Sequence, residues 1–594
     1  MFIMERVADY IIRKINKAGA GHIFLISGRG ILYLTDAVAR NKEMVPVCTF
    51  HEQGASYAAM AYASQSNGIG ACLVSTGCAA ANAVTACLCA YQDNIPVIFI
   101  SGNNQLNENT RHTGAAIRTY GSQEADIVSV VEPVTKYAVM LEDSKRTVYE
   151  VEKALYLAQE GRKGPVWIDI PLDVQNMKIE ENEQEHFKAP ETVYDIDEEV
   201  SKAAEKFNIA KRPVILAGGG SREAREYIKE LAESYNIPIV CSPSASDIYG
   251  TANVFSIGTV GSLGGSRAGN FAVQNSDFVL SIASKLCSQL TGVKENFARD
   301  AEIVAVDIDP NEHAKAGAAD HVIVCGAKEF CSKLLKSNLE QHDESWVQKC
   351  IHWKKIFSIK NEQFIKELKE NNQIDLYLLL DELNSVLPGN ATVITDAGLE
   401  ELTVPSAIHY RDGQRCLFPA SQGAMGYAVP AIIGAYEAGA ENIVCIVGDG
   451  SIMMNMQELQ IVSSLKIPVK ILVINNNMYA VIRKRQRDLF RKRTIGNDPS
   501  DGVPRPDFRK IADCFGFNYR LIINYNEYMS CLPGLFDEKA EIVEIICTPE
   551  QKYFHESYGL NEKRKLVHRP IEDMSPFIQR DVIRNEMIID MLEE

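Results

Sequence analysis

Eleven segments of this chain are short and almost purely apolar, and helical patterns separate them: VPVCTF, GACLVST, IPVIFIS, GPVWIDIP, RPVILAGGG, IPIVCSP, DFVLSIAS, AEIVAVDID, ATVITDAG, NIVCIVGDG and VKILVINNN. A half-exposed strand alternates apolar with polar residues, whereas a continuous Val/Ile run needs cover on both faces. The runs therefore predict an α/β chain of doubly wound parallel-sheet domains. A length of 594 residues exceeds what one hydrophobic core can organise. Three domains in series are expected, over residues 1–185, 195–345 and 373–555, with a tail over 556–594. The first boundary rests on the acidic, polar stretch from Gln175 to Val200, and the second on a charged helical stretch from Trp346 to Asn372 that leads into the third domain.

Composition narrows function mainly by exclusion. No apolar run approaches the ~20 residues of a spanning helix, so no membrane partner is expected. The N-terminus repeats apolar residues at Val7, Ile11, Ile12 and Ile15 with charges between them, which reads as an amphipathic first helix rather than a secretory signal. Fifteen cysteines without a CxxC pair fit a reducing, cytoplasmic setting. A net charge of −17 argues against nucleic-acid binding.

The strongest chemical signal begins at Gly448. The strand NIVCIV delivers Gly448, Asp449 and Gly450 to its carboxyl end, where open parallel sheets bind ligands. Glycine lets the backbone approach a phosphate, and a helix expected from about Asn455 would add N–H donors and the positive end of its dipole. Asp449 is then placed for a cation. The strand VKILVI ends in Asn475 to Asn477, with Asn476 following Asp449 by 27 residues. One carboxylate, one amide oxygen, a backbone carbonyl and phosphate oxygens make the hard shell that Mg2+ prefers. Taken alone, a GDG is an ordinary strand-to-helix turn; two strand ends at this spacing carry more.

On these residues the chain resembles the thiamine-diphosphate enzyme superfamily, whose signature is GDG, a short stretch and NN. The resemblance implies that Asp449, Asn476 and the carbonyl of Met478 hold Mg2+, and that Gly448, Gly450 and Ser451 meet the diphosphate. Thiamine chemistry also needs a carboxylate beside the aminopyrimidine, to favour the tautomer that takes a proton from the thiazolium. Glu52, at the strand-to-helix junction of VPVCTFHEQGASYAAMAYA, is the candidate; read alone, it could equally cap that helix. The order of STGCAAANAVTACLCAYQDNIPVIFISGN, SQEADIVSVVEPVTKYAV, GPVWIDIPLDV and CLFPASQGAMGYAVPAIIGA is similar to that of acetolactate synthases over nearly the whole chain. That resemblance implies Gln123 near the reacting centre, Gly423 and Met425 supporting the bent cofactor, and a homodimer or homotetramer with sites between subunits. It also implies decarboxylation of a 2-oxo acid, with pyruvate favoured, and carboligation of the resulting carbanion to a carbonyl acceptor.

Two segments depart from that family. The triple glycine Gly218–Gly220 follows a strand and suits a dinucleotide phosphate, yet SKLCSQLTG and GSLGGSRAG stand where acetolactate synthases carry other residues. FAD and a vestigial or ADP-like site both remain open readings. Beyond the NN motif, YAVIRKRQRDLFRKR puts Arg485 where acetolactate synthases usually carry tryptophan, so Arg483 and Arg485 are candidates for holding an anionic acceptor. A solvated basic helix face is the simpler alternative. NDPSDGVPRPDF and the tail resemble relatives from surface-polysaccharide and unusual-sugar pathways, some of which transfer two carbons to a keto-sugar nucleotide. A simple 2-oxo acid decarboxylase and a catalytically silent homologue are the other rivals.

Overall fold

The computed structural model describes residues 4–191, 194–313, 319–357, 362–536, 539–549, 551–554, 556–560 and 565–592. It contains three six-stranded sheets, and every strand pair within them is parallel. In the first, Val45–Cys48, His22–Leu25, Gly70–Val74, Val97–Asn103, Val166–Pro171 and Tyr137–Met140 lie side by side. Every residue of Gly70–Val74, Val97–Asn103 and Val166–Pro171 is buried, as unbroken apolar runs require.

The third sheet repeats this strand order: Arg415–Leu417, Ala391–Thr395, Asn442–Gly448, Val469–Asn475, Glu541–Ile546, Asn518–Ile522. Counted within each domain, both sheets run 2-1-3-4-6-5. The middle sheet differs. Its order is Ser256–Thr259, Ile239–Cys241, Pro213–Ala217, Phe278–Ile282, Glu302–Asp307, His321–Val324, the 3-2-1-4-5-6 arrangement of dinucleotide-binding folds.

The first and last of these domains share one core. Helix Glu52–Ser66 crosses helix Ala428–Glu437, and Ala55, Ala58, Ala59, Ala428, Ala431 and Ala435 belong to a single buried cluster with strands of both sheets. Small residues allow the helix backbones to touch. A Cβ placed on Gly434 would lie 2.0 Å from the carbonyl oxygen of Ala58.

Two segments at the domain boundaries do more than connect. Lys178–Glu180, in the acidic stretch after the first sheet, pairs antiparallel with Met4–Arg6. Helix Glu344–Ile356, expected as a lead-in to the third domain, packs on the middle one: Trp346 donates its indole N–H to the Pro213 carbonyl at 2.9 Å, and Trp353 rests against Phe271. The tail closes over the same domain through hydrogen bonds from Asn270 to the Ile571 carbonyl (2.9 Å) and from Arg267 to that of Met574 (3.1 Å).

Replacing Gly434 by valine should force the two helices apart and destabilise the joint by about 2–4 kcal/mol. Thermal melting checks this; a variant that melts with its parent would contradict the backbone contact.

Candidate active site

In a 2-1-3-4-6-5 sheet the chain reverses direction between strands 1 and 3, and a crevice opens beyond their carboxyl ends. In the third domain those strands are Ala391–Thr395 and Asn442–Gly448. Asp396 and Glu400 line one wall, and Gly448 to Ser451 line the other. Asp396 is fully buried, and its Oδ2 accepts from Ser451 Oγ (2.7 Å), Gly426 N (3.2 Å) and Ala428 N (3.3 Å). One carboxylate thus ties the loop carrying Gly423 and Met425 to the GDGS turn. Gly426 has φ +88°, a left-handed conformation, and a Cβ there would lie 2.8 Å from that of Met454.

The neighbouring strand Val469–Asn475 brings the asparagine turn to the same level. Asp449 is buried, and its Oδ2 accepts from the backbone N–H of Asn477 at 2.7 Å. Asn477 takes φ +59°, and the side-chain oxygen of Asn476 accepts from Met478 N at 3.2 Å. Among the described residues no three His, Cys, Asp or Glu side chains converge to hold a metal. A cation here would rely on one carboxylate, an amide oxygen, a backbone carbonyl and oxygens of its ligand, which is a magnesium donor set. The residues present fit such a group.

Three acids around this crevice were not singled out in the sequence. Glu400 is buried, and a Cβ placed on Gly398 or Gly448 would lie 2.9 or 3.2 Å from its carboxylate oxygens. Burial pushes its pKa up to about 8, and that of Asp396 up to about 6. Glu401, beside Gly423, is likewise raised to about 8 by burial. At neutral pH Glu400 is therefore largely a neutral acid that can donate a hydrogen bond, so it does not bar a diphosphate from the crevice. The signal for these groups was the run DAGLEE directly after a buried strand.

The helix expected from about Asn455 begins later. Two 3-10 turns, Ile452–Met454 and Met456–Glu458, precede a short α-helix over Leu459–Ser464. Asn455 interrupts the helical path with φ −132°, while its amide donates to the Gly426 carbonyl at 2.8 Å and to Gln53 Oε1 at 2.9 Å. The helix-dipole contribution inferred from the sequence is correspondingly weaker, and backbone N–H groups of the turn are the phosphate donors on offer.

Glu52 opens helix Glu52–Ser66, but His51 is the cap, accepting from Gln53 N at 3.0 Å. The Glu52 carboxylate instead accepts from Asn82 Nδ2 at 3.0 Å. Asn82 ends the short helix Cys78–Asn82, and the backbone of Gln123, at φ +66°, packs against Gly77 just before it. Glu52 and Gln123 therefore flank one turn. Within a single chain the N-terminus of the Glu52 helix meets the segment that follows the GDG turn rather than the turn itself: Glu458 accepts from Phe50 N (3.1 Å) and His51 N (2.9 Å). Among the described residues Glu52 makes no hydrogen bond to Asp449, Asn476 or Met478.

Helix Ala480–Leu489 follows the asparagine turn and carries the basic run. Arg483 pairs with Asp498 at 3.1 Å, and Lys484 with Glu556 at 3.3 Å. Arg485 is exposed and stands beside Tyr558 and Glu556.

Residues 5–129, 200–334 and 396–540 match the models for the N-terminal TPP binding, central and C-terminal TPP binding domains of thiamine pyrophosphate enzymes. The chain belongs to the thiamine pyrophosphate enzyme family. It is 30% identical over 570 residues to a probable acetolactate synthase large subunit of Methanocaldococcus jannaschii, covering 92% of each chain. It is 28% identical to the acetolactate synthase isozyme 1 large subunit of Escherichia coli over 94% of each, and 26% identical to the acetolactate synthase large subunit of Lactococcus lactis over 92% of this chain and 93% of the relative. Thiamine diphosphate is thus the cofactor of the family. Among the described residues no helix is long and apolar enough to cross a membrane, and all fifteen cysteines are free.

Glu400 supplies a pH test. Its folded pKa is raised from 4.5 to about 8, so the fold binds an extra proton and loses stability as pH rises through that window. The Glu400→Gln protein should melt above its parent beyond pH 8 or so, with the advantage vanishing below about 4.5. An equal melting difference at both ends would contradict a buried carboxyl.

Proposed function

We propose that this enzyme decarboxylates a 2-oxo acid, pyruvate in the first instance, and joins the two-carbon remainder to a second carbonyl compound. The observation that carries the reading is the pair of strand ends that sets buried Asp449 against the asparagine turn, with Glu52 held separately by Asn82. When bound, thiamine diphosphate supplies an electron sink beside the substrate carbonyl, so that CO2 can leave. The chain's own work is placement. Asp449, Asn476 and the Met478 carbonyl would hold Mg2+, and Ser451 with Gly448 and Gly450 would meet the diphosphate. Gly423 and Met425 would support the ring system, and Glu52 would share a proton with the pyrimidine. Gln123 would stand over the reacting carbon.

Because the Glu52 carboxylate bonds Asn82, and its neighbours His51 and Gln53 bond Glu458 and Asn455 rather than Asp449 of the same chain, we take the complete site to form between two copies. Arg485, unlike Arg483 and Lys484, forms no ion pair among the described residues, although it stands near Glu556, and is our candidate for the anionic group of the acceptor. For the middle domain the vestigial reading is better supported than FAD. Ser262 N donates to the Gln289 carbonyl (2.8 Å) and Ser557 N to that of Ser262 (2.9 Å), so the two departing loops bind each other and the tail. Purified protein should then lack flavin absorbance.

The test is product analysis with Mg2+, thiamine diphosphate and labelled pyruvate, with and without 2-oxo acids or keto-sugars as acceptors. Carbon transfer to an acceptor is expected; release of acetaldehyde alone, whatever is added, would make the enzyme a simple decarboxylase. Glu52→Gln should lower kcat by about 10²–10⁴-fold, the usual worth of a positioned acid–base group. Arg485→Trp should raise the acceptor KM while sparing pyruvate turnover, and unchanged acceptor kinetics would remove Arg485 from the site.

A further inference from the structure

Asp449 has two carboxylate oxygens, and both are engaged. Oδ2 accepts from Asn477 N at 2.7 Å, and Oδ1 lies 3.0 Å from Nε of Arg505, an ion-pair contact without an aligned N–H bond, made by a residue far along the chain in the segment NDPSDGVPRPDF. The pair is enclosed, with side-chain exposures of 6% for Arg505 and 3% for Asp449. Enclosure matters because two charges brought out of water interact far more strongly than a surface pair.

The guanidinium is not held by Asp449 alone. It lies over the ring of Tyr479, 4.5 Å from the centroid, and Tyr479 in turn covers Gly450. Its terminal nitrogens reach the carbonyls of Val503 and Asn497 only at 3.4 Å, the weak end of hydrogen bonding. The turn that presents it is built from the same region as the metal loop. Tyr479 N donates to the Asn497 carbonyl at 2.9 Å, buried Asn497 donates to Gln486 at 2.8 Å, and Asp498 pairs with Arg483. Asp498 and Asp501 close that turn with a reciprocal cap. Arg505 is therefore placed beside Asp449 by a hydrogen-bonded scaffold.

We infer that Arg505 is a built-in counter-cation of the metal carboxylate, which Mg2+ must displace. A magnesium ion bound through Oδ1 would stand next to a guanidinium in an enclosed site, and the two would repel unless an anion arrived with the metal. Arg505 thereby makes Mg2+ binding conditional on the diphosphate. Metal without cofactor is kept out, and the two load together. This rests on the reading that Asp449 holds the metal.

The experiment is calorimetric titration of the full chain, stripped with a chelator, first with Mg2+ alone and then with Mg2+ in the presence of thiamine diphosphate. The parent should bind Mg2+ alone weakly, and Arg505→Ala and Arg505→Gln should each bind it about tenfold more tightly, while Arg505→Lys, which keeps the charge, stays weak. Thiamine diphosphate should enhance Mg2+ affinity more in the parent than in the uncharged variants. Equal Mg2+ affinity in parent and both uncharged variants would overturn the inference, and one folded uncharged variant is enough to decide. Asp449→Asn separates the two claims: if it binds Mg2+ and thiamine diphosphate like the parent, the metal assignment itself fails, whereas loss of binding in Asp449→Asn beside unchanged Arg505 variants discards only the counter-cation.

Discussion

The register between two buried strands holds the site together. Gly448 of Asn442–Gly448 lies opposite Ile474 of Val469–Asn475, so both strands end at one level of the sheet. Asp449 N then donates to the Ile474 carbonyl at 3.0 Å, and Asn477 N returns a bond to the Asp449 carboxylate. A slip of one residue would turn every side chain of a strand to the opposite face, moving buried valines and isoleucines out of the core and Asp449 away from the asparagines. The cost of exposing that apolar surface fixes the register, and the register fixes the chemistry.

The rest of the molecule carries this arrangement to a second place. The first and third domains share a strand order and a core, joined where helix Glu52–Ser66 meets Gly434 of helix Ala428–Glu437. That close crossing leaves little freedom for the Glu52 helix to rotate. Its first turn is tied again by Glu458, a buried acid whose pKa burial raises to about 7 and which accepts from two successive backbone N–H groups. Glu52 is thus presented by a rigid element, with Asn82 setting its carboxylate and Gln123 across the turn. The middle domain contributes differently, since its helix Arg267–Gln274 finds partners for its buried polar side chains in the tail.

Central strands were legible in the sequence because burial on both faces writes itself as an unbroken apolar run. Most strands at sheet edges were not, Val45–Cys48 apart: His321–Val324, Asn518–Ile522 and Arg415–Leu417 each have one open flank and carry polar residues. Two central strands were also missed: His22–Leu25, only four residues long, and Glu541–Ile546, whose run Glu541 and Glu544 break; in the fold Glu541 pairs with Lys470 at 3.3 Å and Glu544 accepts from Asn475 at 2.6 Å. The GDG and asparagine turns were readable because two buried strand runs end in them at a characteristic spacing; either turn alone is ordinary turn chemistry. Arg505 was not readable, since it acts by a contact between segments distant in the chain, whereas Glu400 was passed over although its run, DAGLEE, directly follows a buried strand. The helix after the GDG turn was misjudged for a related reason. The backbone of Asn455 leaves the helical path at φ −132°, while its side-chain amide bonds Gly426 and Gln53.

We propose that Glu52 of one copy and Asp449 of another complete a single site. Co-expressing two inactive proteins, Glu52→Gln and Asp449→Ala, tests it directly. In a mixed dimer one site would carry both defects and the other none, so activity should return to about a quarter of the parent's at random pairing. Mixed dimers with no more activity than either variant alone would contradict the claim and place each site within one chain.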